Sequence, residues 1–139
     1  MFSQSDYLTI LTHAPAEVVK QVAEALLDSL GDITVLVNRT GLVMLPYTDT
    51  AKGTRFHLGE VLVSETRVRI SAGTEGYAAC MGRDLEQSMA IALIDAALQA
   101  QIETMRLETF ISEQQAAQQA ADDLLLRQVE ATRVELETF

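Results

Sequence analysis

The chain has 139 residues, 48% of them hydrophobic, and its 20 acidic residues outnumber its 10 basic residues to give a formal net charge of -10. This length suits one domain with a buried core, whereas the negative charge argues against nucleic acids and anionic membrane surfaces as partners. A single cysteine, Cys80, excludes a disulfide within the chain, and two histidines leave little for a zinc site.

No run approaches the ~20 apolar residues that a membrane helix needs, and the first residues lack the basic start of an export signal. We therefore expect a soluble, cytoplasmic protein without a metal site.

The N-terminal residues predict two helices. Asp6 is expected to cap a short first helix, which ends before Pro15 because the residue preceding a proline avoids the helical conformation. A second helix follows, and Gly31 stands where its C-terminal cap is expected. Its apolar residues recur at steps of three and four and form one stripe: Val19, Val22, Ala23, Leu26, Leu27 and Leu30.

Residues 33–81 alternate with a period of two, which predicts four antiparallel strands. The first two cover 33–37 and 42–45, with a hairpin turn at Asn38–Gly41 between them. A polar surface loop follows over 46–53. Extended structure resumes at 55–58 and continues as a long strand over 61–70 after a bulge or tight turn at Gly59-Glu60, and a last strand covers 77–81.

Two long helices are predicted after Asp84, which resembles the first residue of a capping box with Gln87. An apolar stripe continues to Met105, and a second helix is expected to start at Ser112. Its Gln/Ala-rich first half buries little, so the helix is expected to pack against a neighbour or another chain. The prediction is thus an α+β fold in one domain over residues 1–139, with a core over 1–110 and a C-terminal helical arm over 111–139.

The turn Gly82-Arg83-Asp84 has two interpretations. Amides at a helix start and a guanidinium could hold a phosphate. Alternatively, Gly82 makes the turn, Asp84 caps the helix and Arg83 pairs with a surface acid. Other basic residues, Arg55, Arg67 and Arg69, lie on strands, and Arg67 and Arg69 share a face with Glu65. These arginines form either a solvated sheet surface or a binding surface for an acidic or phosphorylated partner.

The remaining reactive residue types are isolated from one another. Cys80 is expected to be a buried packing residue, because no histidine is near it in sequence. His57 is expected to face solvent or an interface. Asp95 either faces solvent or is buried and bonded to an arginine. Since no nucleophile–base set, carboxylate pair or metal-ligand cluster emerges, we predict no catalytic residue in this chain.

Several runs of the sequence resemble the PhnG subunit family of the bacterial carbon–phosphorus lyase system. The most specific are Gly59-Glu60 followed by Leu62-Val63, Gly82-Arg83-Asp84, and Ala92-Leu93-Ile94-Asp95-Ala96. The others are 40–43, 55–58, 73–77, and the closing run 131–135 with Arg133. Departures are Leu136, where an aromatic is expected, and the Gln/Ala-rich 112–123.

The resemblance implies a role in the use of organic phosphonates. It implies a core subunit that assembles with PhnH, PhnI and PhnJ, and that, with PhnI, PhnH and PhnL, supports displacement of adenine from ATP by a phosphonate, giving a ribose 1-phosphonate 5-triphosphate. The iron–sulfur cluster and S-adenosylmethionine of the later cleavage belong to PhnJ, so no cofactor is expected in this chain. Arg55, Phe56, Gly82, Arg83, Asp84 and Arg133 are the candidate partner- or phosphate-binding residues.

Two alternatives remain open at this point. Arg55 and Arg83 could bind a phosphonate or nucleotide directly. The chain could also be a free-standing homodimeric scaffold whose C-terminal helices pair across a two-fold axis.

Overall fold

A computed structural model of the protein describes residues 2–48, 53 and 55–137. Two helices precede the sheet and two follow it within these residues, in the order α1 (Gln4–His13), α2 (Ala16–Leu30), β1 (Ile33–Thr48), β2 (Arg55–Ile70), β3 (Glu75–Met81), α3 (Leu85–Gln99) and α4 (Thr104–Glu137). The predicted α+β class is confirmed. No helix in the described part of the chain combines the length and apolar character that crossing a bilayer requires.

The first helix is capped by Ser3, whose hydroxyl accepts a hydrogen bond from the Asp6 amide at 3.2 Å. The predicted cap at Asp6 is therefore wrong. Asp6 lies within the first turn instead, where a carboxylate favours the positive end of the helix dipole. Gly31 ends α2 with φ 72°, which confirms its predicted place at the helix terminus.

The described strands form one antiparallel sheet in the order β1-β2-β3, so the prediction of four strands is wrong. The predicted turn at Asn38–Gly41 lies inside β1, where Asn38 pairs with Thr66 and Gly41 with Val63. Residues 38–41 continue the strand despite their preference for turns, because β2 pairs with β1 on both sides of them. The predicted loop over 46–53 also starts too early, since β1 reaches Thr48; residues 49–52 lie outside the described residues.

Two irregularities interrupt the pairing of β1 with β2. Leu36 is an extra residue between the Val35–Val68 and Val37–Arg67 pairs. On β2, residue 58 is extra between the Leu45–Gly59 and Pro46–His57 pairs. It lies next to Gly59-Glu60, where either a bulge or a tight turn was predicted. Such bulges turn a strand relative to its neighbour and increase its twist.

The helices cover one face of the sheet and leave the other open. Alternate β2 residues from Ser64 to Ile70 are buried on the covered face, whereas Arg67 and Arg69 are exposed on the open face. Helix α3 packs directly on β3. The approach at Gly76 is so close that an added Cβ atom would stand 2.0 Å from the Ala92 carbonyl oxygen. Nine residues of α3 are buried, as expected for a helix in the centre of a core.

Helix α4 begins earlier than predicted. The predicted stripe through Met105 is interrupted by residues 100–103, in which Gln101 and Glu103 have φ of 59° and 49°. The predicted start at Ser112 lies inside α4, which is anchored in the core by the fully buried Leu107 and Ile111. No glycine or proline marks this break, so local sequence signals did not reveal it.

The second half of α4 leaves the core. Its last described link to the rest of the fold is a hydrogen bond from Gln118 Nε2 to the Ile10 carbonyl oxygen at 2.9 Å. Every described side chain from Gln119 to Thr132 is exposed. We call residues 119–137 the distal arm.

Candidate functional site

The turn Gly82-Arg83-Asp84 carries the sequence from β3 into α3. Asp84 Oδ1 accepts a hydrogen bond from the Gln87 amide at 3.0 Å, and this bond, followed by the bond from Lys20, holds the pKa of Asp84 below its usual value. Because this carboxylate occupies the position at the helix start that a phosphate would take, the geometry supports the capping interpretation. Arg83 is exposed and forms no ion pair with the described residues.

Lys20 is a part of this turn that the sequence reasoning missed. Its Nζ lies 3.0 Å from Asp84 Oδ2 and 3.6 Å from Glu86 Oε2, so it connects α2 to the start of α3. The hydrogen bond with Asp84 raises the pKa of Lys20. Glu17, three residues before Lys20, was a visible local partner, but nothing in the sequence indicated the contact with Asp84.

The predicted site residues lie at separate places. Gly82 donates its N–H to the carbonyl oxygen of Leu62, in the middle of β2, whereas Arg55 is the first residue of β2. Seven residues of strand separate positions 62 and 55, which is about 23 Å at the usual rise. Phe56 lies next to Arg55 on β2, and Arg133 lies in α4; the side chains of these three residues lie outside the described part. The turn Gly82-Arg83-Asp84 therefore lies well away from Arg55, while the predicted binding role of these residues stays a prediction.

Asp95 is fully buried, and none of the described arginines is bonded to it. Its carboxylate accepts hydrogen bonds from the Tyr7 hydroxyl, from the Tyr77 amide at 2.8 Å and from Gln99 Nε2 at 3.1 Å, and Gln4 Nε2 lies 3.3 Å from both oxygens. Burial, and then the bond to Asp95, raises the pKa of Tyr7. Asp95 thus joins α1, β3 and α3, and its described contacts are structural ones.

Cys80 is buried in β3, as predicted. Burial, with a smaller effect of the Asp84 charge, raises the pKa of its thiol to about 11. A thiol that remains protonated near neutral pH is a poor nucleophile, so the structure supports a packing role.

A polar cluster occupies the open face of the sheet. The Tyr77 hydroxyl donates to Glu65 Oε2 at 2.6 Å, Arg39 lies 3.0 Å from Glu65 Oε1, and the Arg67 guanidinium lies 5.6 Å from the centre of the Tyr77 ring. The bond from Tyr77, and then that from Arg39, lowers the pKa of Glu65, while the same bond raises the pKa of Tyr77. Sequence reasoning identified Arg67 and Glu65 on one face but missed Arg39 and Tyr77, because both are contributed by neighbouring strands.

The β1–β2 hairpin extends beyond β3, whose pairing with β2 ends at the Val63–Met81 pair. We call residues 41–48 and 55–62 the hairpin arm. Three consecutive apolar side chains are exposed on it, with 63%, 47% and 51% of Leu42, Val43 and Met44 accessible. Successive strand residues point to opposite faces, so apolar surface is exposed on both sides of a two-stranded ribbon.

The distal arm has a similar apolar surface. Leu124, Leu125, Leu126 and Val129 are all more than half exposed. Adjacent helix residues lie 100° apart, so the three leucines span 200° of the circumference. A stable monomer has no reason to expose such surface on two protruding elements, whereas protein interfaces require it.

The described residues form no metal site or catalytic cluster that would be an alternative functional site to the two arms. No group of three or more His, Cys, Asp or Glu side chains among them could hold a metal ion. A groove of about 390 Å³ between α2 and α3 is lined by Leu27, Met89 and Leu93, with Lys20 and Glu24 beside them. Since Lys20 is already paired with Asp84, this groove offers no free set of convergent polar groups.

Comparison with known proteins identifies relatives of the chain. Residues 3–139 match the family described as "Phosphonate metabolism protein PhnG". The chain is also 32% identical over 100 residues to the "Alpha-D-ribose 1-methylphosphonate 5-triphosphate synthase subunit PhnG" of Rhizobium meliloti (strain 1021). That match covers 72% of this chain and 64% of the relative, so it spans less than two thirds of the relative's length.

Proposed function

The chain belongs to the PhnG family of phosphonate metabolism proteins, and we propose that it acts as a non-catalytic subunit of a ribose 1-phosphonate 5-triphosphate synthase. In this proposal the subunit supports the displacement of adenine from ATP by a phosphonate, within a carbon–phosphorus lyase core. The partners are PhnH, PhnI and PhnJ in the core, together with PhnL. The relative from Rhizobium meliloti, whose name is that of a synthase subunit, supports this assignment.

The observation that carries the proposal is the exposed apolar surface of two protruding elements. The hairpin arm exposes Leu42 and Met44, and the distal arm exposes Leu124 to Leu126. At about 25 cal/mol per Å² of apolar surface removed from water, covering several such side chains contributes several kcal/mol to association. Both arms project from the core, so each can enter a partner's surface without disturbing the fold.

The side chains described here support a role by contact and not by catalysis. The four fully buried polar residues of the core have structural partners: Asp95 binds α1 and β3, Thr66 Oγ1 lies 2.7 Å from Ser88 Oγ, and Ser64 donates to the Gly82 carbonyl oxygen. Thr104 Oγ1 is buried without a partner among the described residues. The Cys80 thiol is buried and protonated. Nothing in this arrangement activates a nucleophile or a general base.

Reconstitution tests the proposal. Partner subunits purified without this chain are incubated with ATP and methylphosphonate, and adenine release is measured with and without the added chain. We expect adenine release to depend on the chain, and the chain alone to release none. Equal activity of the partners without it, or adenine release by the chain alone, would contradict the proposal.

A further inference from the structure

The open face of the sheet is apolar at one end and carries several arginines beside it, whereas the chain as a whole is acidic. Across the three strands, Gly41, Val63 and Met81 form one row, beside the pair Val43–Val61. Met81 is 78% exposed and Val43 is 47% exposed. This end of the face is therefore apolar and open to solvent.

The adjoining rows of the same face are cationic. They carry Arg39, Arg67 and Arg69 against Glu65 and Glu75, a net charge of +1 (three bases less two acids) in a chain of net charge -10. Glu65 is occupied by Arg39 and Tyr77, and Glu75 lies 3.4 Å from Arg69. Arg67 stacks on Tyr77 and forms no ion pair within 4 Å in the described part of the chain, although its charge also helps to lower the pKa of Glu65.

The distal arm has the complementary composition. From Gln119 to Thr132 it carries Asp122, Asp123 and Glu130 against Arg127, a net charge of -2 (three acids less one base). Its leucines are adjacent to Asp122 and Asp123. Pairing two distal arms with each other would bring these acids together, whereas the open face presents arginines.

The spacing of the two surfaces agrees. Asp122 lies 10.5 Å along the helix axis from Val129 at about 1.5 Å per residue. Val61 and Glu65 lie about 13 Å apart along β2. A helix that runs antiparallel to β2 with Val129 on the Val43–Val61 pair therefore places Leu125 and Leu126 near the Val63–Met81 pair and Asp122 beside Arg39, at the row of Glu65. Arg67 follows two residues, about 7 Å, farther along β2.

The arm cannot reach the open face of its own sheet. Helix α4 packs on α1 and α3, which lie on the covered face, and its residues after Gln118 extend about 28 Å farther at the usual helical rise. We propose that, when no partner subunit is present, the chain forms a two-fold dimer in which the distal arm of each copy docks on the open sheet face of the other. This inference concerns the isolated chain and is independent of the proposed synthase role.

The test is the mass of the isolated full-length chain by sedimentation equilibrium over a concentration series. We expect a dimer, and we expect Arg67→Glu and Asp122→Arg each to raise its dissociation constant by about tenfold or more. Because the reversed charges again oppose each other in the double variant Arg67→Glu/Asp122→Arg, it should recover most of the affinity. Circular dichroism of each variant verifies the fold.

Matched charge reversals outside the proposed contact serve as controls. Asp28→Arg on α2 and Arg106→Glu near the start of α4 change exposed residues on the helical side, and both should leave the dissociation constant unchanged. A chain that is monomeric at every concentration would overturn the proposal. So would a dimer that tolerates both single reversals, or one that the double reversal fails to restore.

Discussion

Asp95 shows how a single buried carboxylate can connect three elements. The sequence left two possibilities for it, exposure to solvent or burial with a bond to an arginine, and the structure buries it with other donors. Its donors come from Tyr7, 88 positions earlier, and from the backbone of Tyr77. A local pattern does not reveal such partners, because neither residue type nor spacing brings them together before the chain folds.

Replacing Asp95 by Asn keeps the shape of the side chain but turns an NH₂ group towards hydrogen-bond donors. We expect a loss of about 2–4 kcal/mol in the free energy of unfolding, measured by urea denaturation. The control is Asp28→Asn at an exposed position of α2, which should change stability by less than about 0.5 kcal/mol. An equally small effect at Asp95 would contradict the role described.

Gly76 is required by close packing. A Cβ atom there would stand 2.0 Å from the Ala92 carbonyl oxygen and 2.7 Å from the Ala96 amide nitrogen. Gly76→Ala should therefore cost about 1–3 kcal/mol by forcing β3 and α3 apart. Gly41→Ala, where a Cβ atom meets nothing within 4 Å, is the control and should be neutral or slightly stabilising; equal thermal unfolding of the two variants would disagree with the described packing.

The Tyr77–Glu65 bond predicts a dependence of stability on pH. The pKa of Glu65 is lowered in the folded chain, so the stabilisation is complete above the pKa of the unfolded chain and is lost as pH falls through the folded pKa. Tyr77→Phe should then destabilise the protein at pH 7, and its difference from the wild type should shrink below about pH 4. Unfolding curves at pH 7, 5 and 3.5 measure this difference; a difference that stays constant with pH would argue against the bond.

Among the helices and strands, the sequence predicted the ends of α1 and α2 and the start of α3 closely, missed the end of α3 and the start of α4, and indicated the sheet only in outline. The apolar stripe of α2 and the terminal Gly31 are local signals. Gly31 was confirmed. The expected buried stripe was confirmed only in part, because Val19, Ala23, Leu26 and Leu30 are buried whereas Leu27 is exposed. The predicted turn at Asn38–Gly41 failed because strand pairing with β2 outweighed local turn preference. The break before Thr104 depends on residues that accept positive φ without being glycine, which composition does not show.

The candidate site was less predictable than the fold. Capping at Asp84 followed from the capping-box pattern, and its bond from the Gln87 amide is present. Predicting the cluster of Arg39 and Tyr77 around Glu65 requires the register of the strands. The predicted turn at Asn38–Gly41 was wrong, and the register was therefore not available from the sequence. Predicting that Leu124 to Leu126 are exposed requires knowing where α4 leaves the core, which the sequence does not show.

The distal arm can be removed without touching the core. A truncation after Gln118 keeps the buried Leu107 and Ile111 and the Gln118 bond to Ile10. We expect the truncated chain to keep its thermal unfolding temperature within about 4 °C and to lose binding to its partner subunits in a pull-down. Truncation after Phe110 is a weaker test, because it also removes the buried Ile111.

Binding that survives the cut after Gln118 would show that the distal arm is not an interface. A large fall in unfolding temperature would show instead that the arm belongs to the core. Leu27→Asp on α2, a substitution of an exposed leucine outside both arms, is the control and should leave binding intact.

At the scale of the whole molecule, apolar surface and charge are divided among separate regions. The core is covered on one face of the sheet, while the hairpin arm, the open face and the distal arm are left accessible. Acidic residues are concentrated after Arg83, where eleven acids and three bases give -8, against nine acids and seven bases, or -2, up to Arg83. A surface of this kind is suited to assembly with larger partners whose complementary regions are basic.

The most direct test of this account is co-expression of the tagged chain with PhnH, PhnI and PhnJ, followed by affinity purification and measurement of the mass of the product. We expect the subunits to elute together as one stable complex. We expect a variant that combines Leu42→Asp with truncation after Gln118 to be recovered without the partner subunits. Recovery of the wild-type chain free of all three partners, at matched expression, would contradict this account.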